Sequence, residues 1–213
     1  MNTQQDYHIH TNYNDHSDPD LTIENVLTQA KRKKLKSIAI TEHVRKSSEW
    51  VYDYVEEIEH QRKYSDIKVV IGFEAKILLD GTIDCLENLA RDFFIIASFH
   101  SIFANKKLWL NALKIAIDNK NVDVLGHLAP EKSFQLYDHE IEELGDLISK
   151  NNKIVELNAK YHRPPKKWVN ILLKKNVRFH LGSDAHSLGE IGRFDCIMDL
   201  IQIIEKYNNN KLI

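Results

Sequence analysis

Cysteine is nearly absent from this 213-residue chain: only Cys85 and Cys196 occur, far apart and without metal-type spacing. That argues against a disulfide framework and points to a reducing compartment. Glycine is also sparse, at seven residues, and no Gly-rich loop follows any strand-like run, which weakens a dinucleotide-binding reading. No apolar run approaches the ~18 residues of a membrane span. The polar residues 1–7 lack the apolar stretch of a signal peptide, so the expected location is cytoplasmic. Neither charge sign dominates: 29 Lys+Arg against 31 Asp+Glu leave a net charge of −2. Global attraction to nucleic acid or to an anionic membrane is therefore not expected. The cluster Lys31-Arg32-Lys33-Lys34 reads as a solvated helix face. With 43% hydrophobic and 28% charged residues, the expectation is one domain over residues 1–213, large enough to bury its own core.

Short apolar runs alternate with longer amphipathic stretches. Strands are predicted at 7–10, 37–41, 69–73, 93–98, 122–125, 154–157 and 177–181. Their β-branching and lack of clean alternation suit strands buried on both faces, as in a parallel sheet. Helices are predicted at 22–34, 51–64, 107–119, 139–150, 166–175 and 194–207, with a shorter one at 83–91. In the first, Ile23, Val26, Leu27 and Ala30 make one core stripe. Pro164-Pro165 suits a helix entry at 166. Residues 208–211 read as a frayed tail. Alternating strands and helices imply an α/β fold, either an open sheet or a β/α barrel.

What the chain does have is histidine, eleven in all. His8, His10, His16, His43, His100, His127 and His186, with Glu74 and Asp184, fall at or just beyond predicted strand ends. In a barrel those ends converge on one mouth; in an open sheet they would be strung along an edge. The placement favours a TIM-like β/α barrel with a site for two or three divalent metal ions.

Each cluster has its own logic. His8 and His10, two apart on a strand, project from one face, and Asp6 on the same face could orient an imidazole. In the following loop, either Asp15 or His16 could be a ligand. Thr41-Glu42-His43 places charged groups at the end of a buried strand, where desolvation is costly unless they are coordinated or paired. His43 is favoured as the ligand, with Glu42 behind it or facing solvent. Glu74 has two oxygens and can bridge cations; its alternative is an ion pair with Lys76 or a nearby arginine. Asp184 and His186 come from one tight turn. His60 and His139 fall within helices, His162 could line the mouth, and His180 should alternate away from the site.

Asp6-Tyr7-His8-Ile9-His10-Thr11, Thr41-Glu42-His43, Gly72-Phe73-Glu74, His100, Gly126-His127 and Gly182-Ser183-Asp184-Ala185-His186 occur in this order. Together they resemble the polymerase and histidinol phosphatase (PHP) family over nearly the whole chain. The resemblance implies a distorted seven-stranded β/α barrel with a trinuclear site. It assigns His8, His10, Glu74 and Asp184 to a first metal. Glu74, His100 and His127 would hold a second, with Glu74 bridging, and His16, His43 and His186 a third. Asp15-His16 stands where many members carry an aspartate-glycine pair, and the chain is shorter than typical histidinol phosphatases.

Clustered divalent cations supply hydroxide at neutral pH and neutralise phosphate charge. Hydrolysis of a small phosphomonoester is the leading expectation, with zinc, manganese or iron as the metal. Glu74, Asp184 and His186 are the candidate catalytic residues. Arg163, in a loop resembling the family's phosphate-gripping arginine loop, is the first candidate for phosphate, followed by Arg193 and Arg45. The alternatives are a nuclease acting on nucleic-acid ends, a metal-holding domain without catalysis, and hydrolysis of C–N or C–O bonds. The last lacks the lysine that some such sites place at a strand end.

Overall fold

The structure, a computed structural model, describes residues 1–130 and 134–210. Strands and helices alternate throughout: β1 (Gln5–Ile9), α1 (Ile23–Arg32), β2 (Ser37–Val44), α2 (Val51–Gln61), β3 (Lys68–Lys76), α3 (Glu87–Asp92) and β4 (Phe94–Ser98) form the first half. The second half comprises α4 (Lys106–Asp118), β5 (Val124–Leu125), α5 (Asp138–Lys150), β6 (Ile154–Asn158), α6 (Lys166–Lys174), β7 (Arg178–Gly182) and α7 (Met198–Asn210). The seven strands are parallel and adjacent in sequence order.

Backbone bonds from the end of β7 to β1 nearly close the ring. Asp184 N donates to His8 O at 2.8 Å and His10 N to Ala185 O at 3.0 Å, with a parallel bridge between Ile9 and Ala185. The fold is the expected distorted β/α barrel. Closure runs through the residues singled out as ligands, so the seam and the site are built together. No helix among the described residues is long and apolar enough to cross a membrane.

Local sequence explains the element ends. The Thr22 hydroxyl caps α1 by accepting from Asn25 N at 3.2 Å, Glu24 sits in the first turn, and Lys31 and Arg32 in the last, as the helix dipole favours. The helix stops before 34 because Lys34 turns left-handed (φ 58) and Leu35 N donates back to Ala30 O. The predicted 51–64 helix tightens to a 3-10 turn over Arg62–Tyr64. The 83–91 helix starts later, at Glu87, because Asp80-Gly81 makes a turn with Gly81 at φ 84. That turn pairs Ile83 back onto Ile77. β5 shrinks to two residues because the Asp123 carboxylate takes Ile95 N at 2.9 Å, replacing a ladder bond with a side-chain one. Asn208–Asn210 belong to α7 rather than to a frayed tail; Lys211 lies outside the described residues.

Trp109 and Trp168 are core residues, their rings 6.4 Å apart. His180 packs its ring against Tyr7 at 5.6 Å and Phe94 at 6.2 Å, and its Nε2 is buried without a hydrogen bond. Burial drives its pKa down to about 4, with Glu156 opposing and His8 assisting. An unfolded histidine binds a proton near pH 6.5. Between about pH 6.5 and 4 the unfolded chain therefore holds a proton that the native one refuses, and stability falls as pH falls through that window, by about 3 kcal/mol in all. His180→Phe keeps the ring packing and removes this loss. Denaturant titrations of metal-free protein at pH 7 and 4.5 should show the variant gaining on the wild type at acid pH. Parallel pH dependences would contradict the assignment.

Candidate metal centre

Glu74, fully buried in β3, is the hub. Its Oε1 lies 3.0 Å from His127 Nε2 and 3.2 Å from His100 Nε2. Its Oε2 lies 2.9 Å from His43 Nδ1, 3.5 Å from His8 Nε2 and 3.6 Å from His10 Nε2. The two oxygens thus serve different sets of imidazoles. Strand register produces this: β2 and β3 run past their predicted ends, and His43 pairs directly opposite Glu74. The alternative ion pair with Lys76 does not form the hub; five histidines from four segments do.

β1 is irregular between Asp6 and Ile9, where three steps on β1 match two on β2. This bulge carries His8, and bulges re-aim side chains. His8 Nε2 and His10 Nε2 meet at 3.1 Å, and His10 Nε2 lies 3.4 Å from Asp184 Oδ1. His186 stacks beside His10, ring centroids 4.2 Å apart, and its Nδ1 lies 2.9 Å from Asp184 O. Asp184 (φ 55) and His127 (φ 29) both adopt left-handed backbone, which costs roughly 1–3 kcal/mol per residue and concentrates at functional sites.

Behind the hub stand acids that hold the imidazoles. Glu42 is fully buried and does not face solvent. It accepts from Thr11 N at 2.8 Å, Thr11 Oγ1 at 2.5 Å and His43 N at 2.7 Å, from the Asn14 amide, and lies 3.3 Å from His10 Nδ1. Glu156, which the sequence reading passed over, accepts from His8 Nδ1 at 2.6 Å, His127 N at 2.7 Å and Asn158 Nδ2 at 3.1 Å. A carboxylate is acceptor-only, so His8 must carry its proton on Nδ1 and turn Nε2 toward the hub. Gly182 has no side chain because a Cβ there would overlap the Glu156 carboxylate and the Cβ of His8.

Asp6 corrects an expectation. Its carboxylate orients no imidazole; it accepts from Ser183 N at 2.9 Å and Gly192 N at 2.8 Å, pinning the turn that follows β7. Burial raises its pKa to about 6, against those hydrogen bonds.

Asn158 and Lys160 were also missed. Asn158 Nδ2 donates to Asp184 Oδ2 at 2.9 Å, and Lys160 Nζ lies 2.8 Å from His186 Nδ1 and 3.8 Å from Asp184 Oδ1. The signals were an acid and an amide inside the apolar run Ile154-Val155-Glu156-Leu157-Asn158, and a lysine just past that strand.

Other candidates sit farther out. The side chain of His16 is 65% exposed, its ring 6.2 Å from that of His43. It joins none of the close ligand groups, and neighbouring Asp15 is 94% exposed. Arg45, Lys76, Trp50 and Tyr13 line an open cavity of about 950 Å³ that reaches Glu74, His43 and His100. A second cavity of about 220 Å³ is lined by Phe99, Ile102, Tyr161, Arg163, His100 and His127. Arg163 Nη1 donates to Ala129 O at 3.0 Å. Arg193 is exposed and lines neither cavity.

The donor set fits divalent cations. Among the described residues, three groups offer ligand atoms within 4.8 Å of one another: His8, His10 and Asp184; His43, Glu74 and His100; and His10, His43 and His186. Glu42, Glu74, Glu156 and Asp184 are all buried, and buried carboxylates demand positive charge. Imidazoles supply it here. Burial pushes His10 down, but Asp184 and Glu42 outweigh it and raise its pKa to about 9. Burial likewise opposes, and Glu156, Glu74 and Asp184 overcome, a rise at His8. Glu74 is held well below the carboxylate range by His100 and His8 despite burial. Protons on imidazoles answer a demand that cations would meet on the same atoms.

The PHP domain family model matches residues 6–160. The chain belongs to the PHP family. A curated relative, described as a probable phosphatase of Caldicellulosiruptor saccharolyticus, is 32% identical over 201 residues, covering 86% of this chain and 81% of its own. The DNA polymerase/3'-5' exonuclease PolX of Bacillus subtilis is 26% identical over 197 residues, covering 86% of this chain but 34% of its own. In fold, the PHP barrel superposes with a TM-score of 0.70 on the Listeria monocytogenes structure described as "putative histidinol phosphatase hisK". That match has 20% identity and covers 89% of this chain and 97% of that one. Asp184 and His186 lie beyond the span matched by the PHP model, yet the β7–β1 seam ties them to His8 and His10.

Proposed function

We propose that this PHP-domain protein is a cytoplasmic phosphatase, one domain over residues 1–213, that hydrolyses small phosphomonoesters with two or three divalent cations: zinc, manganese or iron. The observation that carries the reading is Glu74, whose two oxygens each serve a separate set of imidazoles. In this reading His8, His10, Glu74 and Asp184 hold one cation, and Glu74, His100 and His127 a second. His43 and His186 hold a third, with His16 swinging in from its loop. When bound, such cations activate water at neutral pH and neutralise phosphate charge.

The chain's own groups do the rest. Burial and His10 push His186 down to about 4, against Asp184. Asp184 is held below the carboxylate range by His8 and His10 in spite of burial. At neutral pH neither stores a proton, so both act as ligands and acceptors rather than as acids toward a leaving group. Arg163, beside His100 and His127 in the smaller cavity, would face the phosphate first, with Arg45 in the larger cavity and Arg193 in neither. Arg163→Ala should raise KM for a small phosphoester ~10-fold, the scale of one hydrogen bond to a charged group. Unchanged steady-state kinetics would remove Arg163 from the site.

The PolX relative favours a second reading, end-directed nuclease activity; the net charge of −2 weighs against it. The deciding experiment measures metal on freshly purified protein, then assays phosphomonoesters and labelled oligonucleotides side by side under each metal. Phosphomonoester turnover far above a His8→Ala control is expected. Turnover of oligonucleotides alone would favour the nuclease, and no turnover above the control would leave a metal-holding domain without catalysis.

A further inference from the structure

The segment after β6 carries its residues in opposite directions. Lys160 reaches His186, the Tyr161 ring lies 5.2 Å from that of His127, and Arg163 lines the smaller cavity. His162, between them, leaves the mouth for α7. Its Nε2 lies 3.0 and 3.2 Å from the two oxygens of Asp199. Lys166 Nζ grips the same carboxylate at 2.9 Å from the other end of the segment. Asp199 is thus tied both to the middle of the stretch bearing Lys160, Tyr161 and Arg163 and to Lys166 beyond it.

The stretch has reason to need a tie. His162 adopts left-handed backbone (φ 52), a conformation that a non-glycine residue keeps only when its surroundings hold it. Asn158 and Arg163 exchange backbone bonds at 2.8 and 3.2 Å, and Tyr161 N donates to Asn158 Oδ1 at 2.9 Å. Those bonds close the base of the loop. The His162–Asp199 contact fixes its tip against α7. Burial works against the Asp199 carboxylate, but Lys166 and His162 hold it at about 2. The helix dipole would account for an acid in the first turn of α7, yet it does not account for a carboxylate shared with the first lysine of α6 and a loop histidine.

We propose that Asp199 is a positioning residue: through His162 and Lys166 it latches the loop after β6 so that Lys160 and Arg163 face a bound phosphate group. This rests on the phosphatase reading. A merely structural Asp199 would lower stability and kcat together when removed. A latch predicts a loss confined to phosphate binding, because the metal ligands lie on other segments.

The test uses metal-loaded wild type, Asp199→Ala and His162→Ala, with the double variant. Measurements are metal content, KM and kcat for a phosphomonoester, and the Kd of inorganic phosphate. Each single variant should raise KM and the phosphate Kd ~10-fold, with kcat and metal content within about twofold. The double variant should add little, as for residues acting as a unit. His162→Ala, on an exposed loop, keeps the test open if Asp199→Ala misfolds. Wild-type KM and phosphate Kd in the single variants, or parallel loss of kcat, metal and stability, would overturn the latch alone. A wild type that neither turns over phosphoesters nor binds phosphate would overturn the phosphatase reading and the latch with it.

Discussion

Glu74→Ala should lose at least one cation per chain and ~10³-fold or more in kcat/KM, the scale of removing an electrostatic stabiliser at a reacting centre. The reason is its position. Five imidazoles lie within 3.6 Å of its two oxygens, so deletion takes a shared ligand from two sets at once. Glu74→Gln is the sharper variant, since it keeps the shape. One oxygen becomes an NH2 donor, so one set of imidazoles must face a donor while the other keeps its acceptor. The glutamine variant should therefore retain part of its metal while losing activity nearly as completely as alanine. Elemental analysis with steady-state kinetics checks both. Full metal content with wild-type turnover in Glu74→Gln would mean that the carboxylate is structural.

The second large effect belongs to a residue that touches no candidate cation. Glu156 accepts on both oxygens, from His8 Nδ1 on one and from His127 N and Asn158 Nδ2 on the other. Glutamine offers one oxygen and one amide nitrogen, so it cannot satisfy both sides. If the nitrogen faces His8, that ring must accept on Nδ1 and carry its proton on Nε2, which takes His8 out of the ligand set. Metal affinity should fall ~10- to 100-fold, as when the outer partner of a ligating histidine is removed. Glu156→Ala should in addition destabilise the fold by about 3–5 kcal/mol, because His8 and the His127 amide lose a buried charged partner. Chelator competition for affinity and denaturant unfolding for stability separate the two. Unchanged affinity in Glu156→Gln would show that the His8 tautomer is set elsewhere.

Much of the barrel and most of the side chains that gather around Glu74 were legible in the sequence, for one physical reason. Parallel strands buried on both faces leave apolar runs, and a polar residue at the end of such a run has to be coordinated or paired. His43, Glu74, His100, His127 and Asp184 all announce themselves this way. The strands lie side by side in sequence order, because neighbouring β/α units pack beside each other.

What was not legible depended on contacts between distant segments. Glu156 sits within a run that reads as an ordinary strand, and its partners come from β1 and from the loop after β5. Asp6 shares a face with His8 by alternation, but the β1 bulge and the β7 seam commit it to Ser183 and Gly192. Lys160 and Asp199 are ordinary surface residues until β6 and α7 are placed side by side. Asp80-Gly81 carried a turn signal that helical periodicity over 83–91 obscured. The loop residues His16, Arg45 and Arg193 follow from chemistry rather than from geometry: His16 and Arg45 line the larger cavity without joining a close ligand group, and Arg193 lines neither cavity.

The most direct test is anomalous diffraction from crystals of the metal-loaded protein. At least two cations should flank the Glu74 carboxylate, one on each oxygen, with His8 and His10 on one side and His100 and His127 on the other. A single ion bound by one oxygen, or ions bound elsewhere with Glu74 still paired to its imidazoles, would contradict it.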